Sequence, residues 1–298
     1  MPPKYATIVK KQLGGKTLNS KPIVAIMYDF DKTLSPGNMQ DYAFIPGIGK
    51  TADEFWRLCK EYETANNMDP ILAYMYYMVK SSRGKMLITR EIFRKLGESV
   101  DFFDGVETWF ERVNSFGESL GLTVEHYIIS SGLKEIIEGT KIAKHFKRIY
   151  AAEFCYDEEQ VPIWPAMAVN YTSKTQFLYR INKGVLDVTD HDSLNRYTTD
   201  SKRRVPFKNM IYIGDGYTDV PCMKLCKVNG GHSIAVYQND DRKILNELIE
   251  QGRVDLVAPA DYSEGSELES KVFRILEQIK TYNAVLKLHL KDMDDAKA

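Results

Sequence analysis

The stretch that most constrains this chain is residues 23–34, with the sequence IVAIMYDFDKTL. An apolar run of strand length ends there directly in two aspartates, Asp29 and Asp31, and Pro36 and Gly37 then favour a turn. A buried strand that leads into paired carboxylates is costly unless they bind a cation or transfer protons, because a desolvated carboxylate needs a compensating partner. The structural alternative is a loop-capping role, since Asp is common in turns.

The overall composition narrows the class of ligand. The chain has 298 residues, of which 44% are hydrophobic and 27% charged, so it is long enough for a sizeable core and one subsidiary domain. Its formal net charge of -1 provides no field that would attract nucleic acid or an anionic membrane surface. We therefore predict a small substrate, with neither nucleic acid nor a membrane as partner. The sequence does not indicate an oligomeric state.

The cysteines and the N-terminal segment bear on the compartment. The cysteines are few and scattered, and Cys222 and Cys226 are spaced as neighbours on one helix face, which favours packing over a disulfide or a metal site. Residues 1–21 contain several lysines and no continuous apolar core, so we expect neither a secretory signal nor a membrane span there. A reduced, cytoplasmic setting is the expectation.

A helical pattern without strands follows the first strand. Residues 35–50 are rich in Gly and Pro and are typical of a hinge. Beyond them, Phe55 and Cys59 lie on one predicted helix face, and Asp69 and Thr89 can each cap a further helix. The predicted division is a helical cap and an α/β core, at residues 38–102 and at residues 1–37 and 103–298.

A second strand pattern, at residues 124–129, runs into small polar residues. Ser130, Ser131 and Gly132 follow it directly, before a helix-like stretch that starts at Leu133. A serine with small neighbours before a helix can offer its hydroxyl and exposed N–H groups to a phosphate oxygen. A plain helix cap would have the same sequence.

The middle of the chain contributes one candidate cation. Residues 149–169 indicate an irregular hairpin. Lys174 then precedes an amphipathic helix that ends at Gly184, although a lysine at a helix start is usually a solvated surface charge. Residues 187–204 are predicted to form a surface excursion. Its basic run at residues 202–204 lacks interleaved aromatic residues and is expected to be solvated.

A third strong pattern is MIYIGDGYTD at residues 210–219. A buried strand ends there in Asp215, which stands between two glycines, and Asp219 follows four residues later. The glycines permit a tight turn that brings backbone close to a ligand, so Asp215 can meet Asp29 at a cation. A structural Asp-Gly turn is the alternative, but such turns usually join hairpins, and a helical pattern follows this one.

These strands alternate with helices. Further strands are predicted at residues 233–237 and 254–257, and a final helix is capped by Ser266. We therefore predict an α/β fold with a Rossmann-like open, largely parallel sheet and a small helical cap domain inserted after the first strand. Ligands of such sheets gather at the carboxyl ends of the strands, where the acidic and hydroxyl residues lie.

Three features of this pattern resemble a known family. The string Asp-Phe-Asp-Lys-Thr-Leu after an apolar strand resembles the first signature of the haloacid dehalogenase superfamily, whose members are mostly magnesium-dependent phosphohydrolases. The helical insertion resembles the cap of its phosphoserine phosphatase branch. Across essentially the whole core, the order of candidate residues resembles the four motifs of these phosphatases: Asp29 and Asp31, Ser130, Lys174, then Asp215 and Asp219.

The resemblance implies phosphomonoester hydrolysis through an aspartyl-phosphate. Asp29 would be the nucleophile, and Asp31 would protonate the leaving alcohol and then deprotonate water. Mg²⁺ would lie between the Asp29 carboxylate, the Asp31 backbone carbonyl and Asp215, since an all-oxygen site favours magnesium over zinc. Asp219 would orient Lys174 or a water at the metal. The phosphate oxygens would be held by Thr33, Ser130, Ser131, Gly132 and Lys174, of which Ser130 and Lys174 also belong to the catalytic set.

Two positions depart from the phosphoserine phosphatase branch. That branch usually has Glu where Asn38 stands, nine residues after the nucleophile, and Ser-Gly-Gly where this chain has Ser130-Ser131-Gly132. We therefore expect phosphoserine to be no better than other small phosphomonoesters, and either serine can serve. A phosphotransferase or phosphomutase with the same intermediate remains an alternative, as does a non-catalytic phospholigand-binding protein. Asp31 argues against the last, because a binding module has no use for a positioned acid.

Overall fold

The structure is a computed structural model that describes residues 21–199, 202–238 and 242–296. The expectation for the N-terminal segment therefore lies outside the described residues, apart from Lys21. Seven strands form one sheet in the order β4-β3-β2-β1-β5-β6-β7. The strands are β1 (Ile23–Tyr28), β2 (Thr123–Leu133), β3 (Phe146–Tyr156), β4 (Pro162–Met167), β5 (Met210–Gly214), β6 (His232–Tyr237) and β7 (Leu256–Pro259).

Neighbouring strands of this sheet run parallel, except that β3 and β4 pair in antiparallel orientation. The predicted open, largely parallel α/β sheet is thereby confirmed. Strand β1 has the bounds that the apolar run predicts, and it lies between β2 and β5 at the centre of the sheet. The carboxyl ends of these three strands consequently meet at one edge.

The helices of the described residues follow the strands in an alternating order. Short 3₁₀ turns lie at Gly97–Ser99, Ala143–His145 and Phe207–Asn209. The α-helices are α1 (Met39–Tyr42), α2 (Phe44–Gly47), α3 (Ala52–Asn66), α4 (Pro70–Ser82), α5 (Arg90–Leu96), α6 (Val106–Ser119), α7 (Lys134–Glu138), α8 (Lys174–Lys183), α9 (His191–Asn195), α10 (Val220–Val228), α11 (Arg242–Glu250) and α12 (Glu267–Asp295). None of these helices is long and apolar enough to cross a bilayer.

Apolar side chains are buried on both faces of the sheet. In β1, Val24, Ile26 and Tyr28 pack on the side covered by α6 and α12, while Ala25 and Met27 pack on the side covered by α8 and α10. We call these the α6 face and the α8 face. Because side chains alternate along a strand, the residue that follows Tyr28 is directed to the α8 face.

The helical segment between β1 and α6 forms largely as its sequence indicates. The side chains of Thr51, Asp69 and Thr89 accept hydrogen bonds from the first turns of α3, α4 and α5. The segment expected to be a hinge contains two one-turn helices, α1 and α2, because Asn38 and the residues after it can close single turns between the glycines. The division into a core and a cap at residues 38–102 stays a prediction.

One expectation about local structure needs correction. Strand β2 does not end at residue 129 but continues to Leu133, because Leu133 pairs with Ala152 of β3 after a shift of register. The helix expected after it forms as α7, of five residues. The irregular hairpin expected at residues 149–169 is confirmed, because β3 and β4 pair in antiparallel orientation with two shifts of register.

The basic run at residues 202–204 is also corrected. Arg204 is not simply solvated, since its guanidinium forms an ion pair of 2.5 Å with Glu125 of β2. Lys147 bonds the same carboxylate. In contrast, the prediction for the paired cysteines is confirmed, because Cys222 and Cys226 are buried, free thiols of α10.

Candidate active site

The end of β1 brings Asp29 to the middle of the site. Tyr28 pairs with Ile128 of β2 and with Ile213 of β5, and the Asp29 N–H donates to the Ile213 carbonyl at 2.9 Å. The carboxylate caps its own turn, because Asp29 Oδ1 accepts the Phe30 N–H at 2.7 Å. The backbone therefore holds Asp29 between the ends of two neighbouring strands, with 6% of the residue exposed.

A tight turn separates Asp29 from Asp31. The Phe30 carbonyl accepts the N–H groups of Leu34 and two neighbours, and Lys32 has φ 58°, in the left-handed region that non-glycine residues seldom adopt. Asp31 Oδ1 accepts the Met39 N–H at 2.8 Å, at the start of α1. Burial raises the pKa of Asp31 to about 7, although the Met39 N–H opposes this. Near neutral pH the carboxyl can therefore both give and take a proton.

The end of β5 supplies two more carboxylates. One oxygen each of Asp29, Asp215 and Asp219 lies within 4.8 Å of the others. A Cβ on Gly214 would lie 2.4 Å from Asp219 Oδ2, so only glycine permits this approach. Burial, and then the Asp219 carboxylate, raise the pKa of Asp215 to about 6. They also raise the pKa of Asp29, while Lys174 lowers it.

Lys174, the first residue of α8, joins these carboxylates. Its ammonium lies 2.8 Å from Asp219 Oδ1 and 3.0 Å from Asp29 Oδ2, and the side chain is fully buried. Burial alone would lower the pKa of Lys174, but the carboxylates of Asp219 and Asp29 outweigh it and raise the pKa, so the group stays charged. The interpretation of Lys174 as a solvated surface charge is thus excluded by its burial.

The charges of this cluster suit a bound cation. Three carboxylates converge and two of them contact one ammonium, which leaves buried negative charge that is costly without a further positive group. Asp219 Oδ2 is buried and has no hydrogen-bond partner in the described part of the chain. An orphaned carboxylate oxygen within an all-oxygen set is a fitting ligand for Mg²⁺ or for one of its waters. The residues therefore fit a divalent cation.

The end of β2 places hydroxyl and backbone groups beside β1. Ser130 Oγ accepts the Gly132 N–H at 3.0 Å, whereas Ser131 Oγ is buried without a partner among the described residues. The Ser131 carbonyl accepts the Tyr74 hydroxyl of α4 at 2.8 Å. A Cβ on Gly132 would lie 2.0 Å from Met39 Cε and 3.0 Å from Asp31 Oδ2. This end of β2 therefore contacts both the helical segment and Asp31.

Sequence comparison then decides the family. The profile of the haloacid dehalogenase-like hydrolases matches residues 26–224, a range that contains every residue of the site. The chain belongs to the haloacid dehalogenase-like hydrolases. An uncharacterised protein of Borreliella burgdorferi is 29% identical to this hydrolase over 276 residues, covering 83% of this chain and 94% of that protein.

Solved structures share the fold of this hydrolase. A phosphoserine phosphatase, solved as a phospho-aspartyl intermediate analogue, matches with a TM-score of 0.52 at 15% identity, over 84% of this chain and 97% of that one. A probable phosphoserine phosphatase of Vibrio cholerae matches with a TM-score of 0.54 at 12% identity, over 89% of this chain and 69% of that one. The predicted superfamily and fold are confirmed. Sequence identities this low do not identify the substrate of this hydrolase.

The hydrolase site brings together most of the residues that its sequence indicates. Asp29, Asp215, Asp219 and Lys174 form one buried cluster, and Asp31 lies beside Gly132. The Thr33 hydroxyl is buried and has no partner in the described ranges. Asp219, which the sequence analysis assigns to orienting Lys174 or a water at the metal, contacts the Lys174 ammonium, and its carboxylate also lies among the three that converge.

Three contacts in this hydrolase were not predicted. The Met39 N–H holds Asp31, the Tyr74 hydroxyl holds the Ser131 carbonyl, and the Tyr212 hydroxyl donates to Asp219 Oδ1 at 2.7 Å. Met39 contacts Asp31 through its backbone N–H, and a motif of side chains cannot predict such a contact. The tyrosines stand at apolar positions of a helix and a strand, where the sequence pattern indicates only core packing.

Proposed function

We propose that this hydrolase is a magnesium-dependent phosphatase that cleaves small phosphomonoesters through an aspartyl-phosphate on Asp29. The observation that carries the proposal is the position of Lys174, whose buried ammonium contacts both Asp29 and Asp219 beside Asp215. Phosphoryl transfer needs an in-line nucleophile, positive charge against the phosphate oxygens and a proton donor for the leaving oxygen. The cluster offers residues for each requirement.

The covalent steps are assigned to two aspartates. A carboxylate oxygen of Asp29 attacks phosphorus, and the bond from phosphorus to the ester oxygen breaks. Asp31 donates its proton to that oxygen, so a neutral alcohol leaves. Asp31 then removes a proton from a water molecule that attacks phosphorus, the bond to Asp29 breaks, and phosphate leaves. Both carboxyl groups return to their initial state.

The phosphate oxygens meet donors from two sides in this proposal. An ammonium has three N–H groups, and Asp29 and Asp219 take two of those of Lys174, which leaves one for the substrate. The Ser130 hydroxyl accepts the Gly132 N–H and keeps its own proton for donation. The buried hydroxyls of Ser131 and Thr33 have no partner among the described residues and are further donors. These groups orient the phosphate for attack by Asp29.

The proposed cofactor is Mg²⁺, held by Asp29, Asp215 and the Asp31 carbonyl, with Asp219 as an additional or water-mediated ligand. When bound, it offsets the charge of the phosphate and of the surrounding carboxylates. Asp215 contributes no proton in this scheme. Its role is to complete the set of oxygens around the cation.

The residues at the entry to the helical segment bear on the substrate. Asn38 donates through Nδ2 to Asp41 Oδ2 at 2.8 Å, and Trp56 Nε1 donates to Asp41 Oδ1 at 2.8 Å. The Asn38 N–H adds a longer bond of 3.3 Å to the same carboxylate. Asp41 is thus occupied by three donors of its own chain, so a cationic amine on the substrate finds no free carboxylate here. This supports the expectation that phosphoserine has no advantage.

A phosphotransferase or phosphomutase would use the same cluster but pass the phosphoryl group from Asp29 to a second alcohol. Phosphate release without any acceptor separates hydrolysis from transfer. A non-catalytic phospholigand-binding protein would release no phosphate. The position of Asp31, held beside Gly132 by the Met39 N–H, supports the catalytic proposal.

The test is a phosphate-release screen over sugar, alcohol, nucleoside and amino-acid phosphomonoesters, with Mg²⁺ and after exhaustive chelation. We expect turnover only with Mg²⁺, and a kcat/KM for phosphoserine no better than that of other small esters. Asn38→Glu should then raise the relative rate for phosphoserine. Full activity after chelation would refute the metal dependence, and a preference for phosphoserine of about 100-fold in the unmodified protein, roughly 2.7 kcal/mol, would refute the inference from Asn38.

A further inference from the structure

Tyr212 is a buried residue of β5 to which the proposed mechanism assigns no step. Its hydroxyl donates to Asp219 Oδ1 at 2.7 Å, and that same oxygen accepts the bond from Lys174 at 2.8 Å. We propose that Tyr212 is a positioning residue, which fixes the Asp219 carboxylate and thereby sets the affinity of the site for Mg²⁺ and the placement of Lys174. This inference deepens the proposed function and rests on it for its kinetic readout, while its binding readout needs no turnover.

The two oxygens of Asp219 have unequal environments. Oδ1 accepts two hydrogen bonds, from Tyr212 and Lys174, whereas Oδ2 is buried without a partner among the described residues. Gly214 leaves space for Oδ2, since a Cβ there would lie 2.4 Å away. Tyr212 and Lys174 together therefore hold the carboxylate in one rotation, with one oxygen bonded and the other free for a cation. Without Tyr212, Lys174 alone would have to keep that rotation.

The hydroxyl of Tyr212 is suited to this role because a phenol is an uncharged hydrogen-bond donor at neutral pH. The group therefore donates to the carboxylate and carries no charge into a site that is already rich in negative charge. Groups that orient the ligands of a metal typically contribute about 10- to 100-fold in metal affinity or activity.

The test compares Tyr212→Phe with a matched control, Tyr150→Phe. Tyr150 lies in β3, is buried in the apolar cluster of the same α8 face, and stacks on Phe177 at 4.4 Å. Its hydroxyl also donates one hydrogen bond, to the Leu186 carbonyl at 3.0 Å. Both variants therefore lose one buried hydroxyl and one hydrogen bond from the same core, but only Tyr212 contacts Asp219.

The measurements are the Kd for Mg²⁺ by titration calorimetry, the melting temperature without metal, and kcat and KM. For Tyr212→Phe we expect the Kd for Mg²⁺ to rise about 10-fold and kcat to fall about 10-fold, with KM for the phosphomonoester changed less than about twofold. For Tyr150→Phe we expect a similar fall in melting temperature and an unchanged Kd. A Kd for Mg²⁺ that is the same in Tyr212→Phe and the unmodified protein would overturn the inference.

A double-mutant cycle separates an effect through Asp219 from general loosening of the core. The double variant Asp219→Asn/Tyr212→Phe should have a Kd for Mg²⁺ less than about twofold above that of Asp219→Asn, because the carboxylate that Tyr212 positions is already absent. If each substitution raised the Kd by its own factor and the two factors multiplied in the double variant, the inference would be contradicted. Mg²⁺ binding that is insensitive to Tyr212→Phe refutes this inference alone, whereas a protein that binds no Mg²⁺ refutes it together with the proposed function.

Discussion

Asp29 and Asp31 lie two residues apart but have different surroundings. Asp29 follows β1 and contacts the Lys174 ammonium at 3.0 Å, whereas Asp31 lies beyond the turn and accepts the Met39 N–H. Burial raises the pKa of Asp31 to about 7, which suits a group that alternates as acid and base. In the proposed mechanism the pair thus divides the nucleophilic and proton-transfer roles between two positions separated by Phe30.

Removal of the Asp31 carboxylic acid should lower the rate most for substrates whose leaving group needs a proton. We expect Asp31→Asn to lower kcat/KM about 10²- to 10⁴-fold for an alkyl phosphate, and much less for p-nitrophenyl phosphate, whose leaving group needs no proton. The measurement is kcat/KM on both esters, with the exposed Asp53→Asn as control. Equal losses on both esters would argue against Asp31 as the acid.

The strand-end acids could be predicted from sequence for a physical reason. Parallel strands end at one edge of a sheet, so Asp29 and Asp215, each directly after an apolar run, had to meet there. The same reasoning could not find Tyr212 or Tyr74. Their rings satisfy the apolar pattern of a strand and a helix, and only the fold shows which carboxylate or carbonyl each hydroxyl reaches.

Two glycines let the helical segment approach the core at the level of backbone atoms. A Cβ on Gly97 would lie 2.2 Å from the Ile136 carbonyl oxygen, and a Cβ on Gly139 would lie 1.7 Å from that of Arg94. The end of α5 and the end of α7 are therefore in direct contact. This junction joins the helices that follow β1 to the strand that carries Ser130 and Ser131.

A side chain at Gly139 should separate these two helices. Its φ of -83° is ordinary, so Gly139→Ala adds a steric clash with rigid backbone rather than torsional strain. We expect a loss of unfolding free energy of about 3 kcal/mol, measured by urea denaturation. The control is Gly216→Ala, where an added Cβ meets nothing within 4 Å. If both variants lost the same small amount, the tight packing of α5 on α7 would be wrong.

The end of β2 could not be predicted from the local sequence pattern. Small polar residues after residue 129 indicate the end of a strand, but β2 continues to Leu133, which pairs with Ala152 of β3 after a shift of register. Pairing with β1 has by then ended, at Ile128. The hydrogen bonds of a neighbouring strand thus override the local pattern, and a window along one strand contains no information about them.

The whole molecule contains a buried hydrogen-bond chain behind the active site. Trp109 Nε1 donates to the Tyr28 hydroxyl at 2.9 Å, and that hydroxyl lies 3.0 Å from His126 Nδ1. His126 Nε2 lies 3.1 Å from Asn114 Oδ1, which is always an acceptor. The bonds are all satisfied when His126 is neutral with its proton on Nε2. These hydrogen bonds link β1, β2 and α6 on the α6 face of the sheet.

This arrangement predicts how the stability of the whole molecule depends on pH. Burial lowers the pKa of His126 to about 3, whereas the unfolded chain binds a proton there below about pH 6.5. The contribution of His126 is complete above that pH and is lost as the pH falls toward 3, because the unfolded state then holds more protons. The slope approaches about 1.4 kcal/mol per pH unit.

Urea denaturation between pH 7 and pH 4 measures this slope. His126→Gln keeps hydrogen-bonding capacity but does not titrate, so its stability should fall less steeply with acid than that of the unmodified protein. The control, His289→Gln, replaces an exposed histidine of α12 and should leave the slope unchanged. Parallel curves for all three proteins would contradict the assignment of a buried neutral His126.

The central claim is that Asp29 is the nucleophile of a magnesium-dependent phosphatase, and phosphate release by Asp29→Asn tests it most directly. An amide cannot form the acyl-phosphate bond, although Asn has the size and shape of Asp. With Mg²⁺ and p-nitrophenyl phosphate, we expect Asp29→Asn to lower kcat at least about 10³-fold, while Asp53→Asn, on the exposed side of α3, retains full activity. Turnover by Asp29→Asn within about tenfold of the unmodified protein would contradict the account.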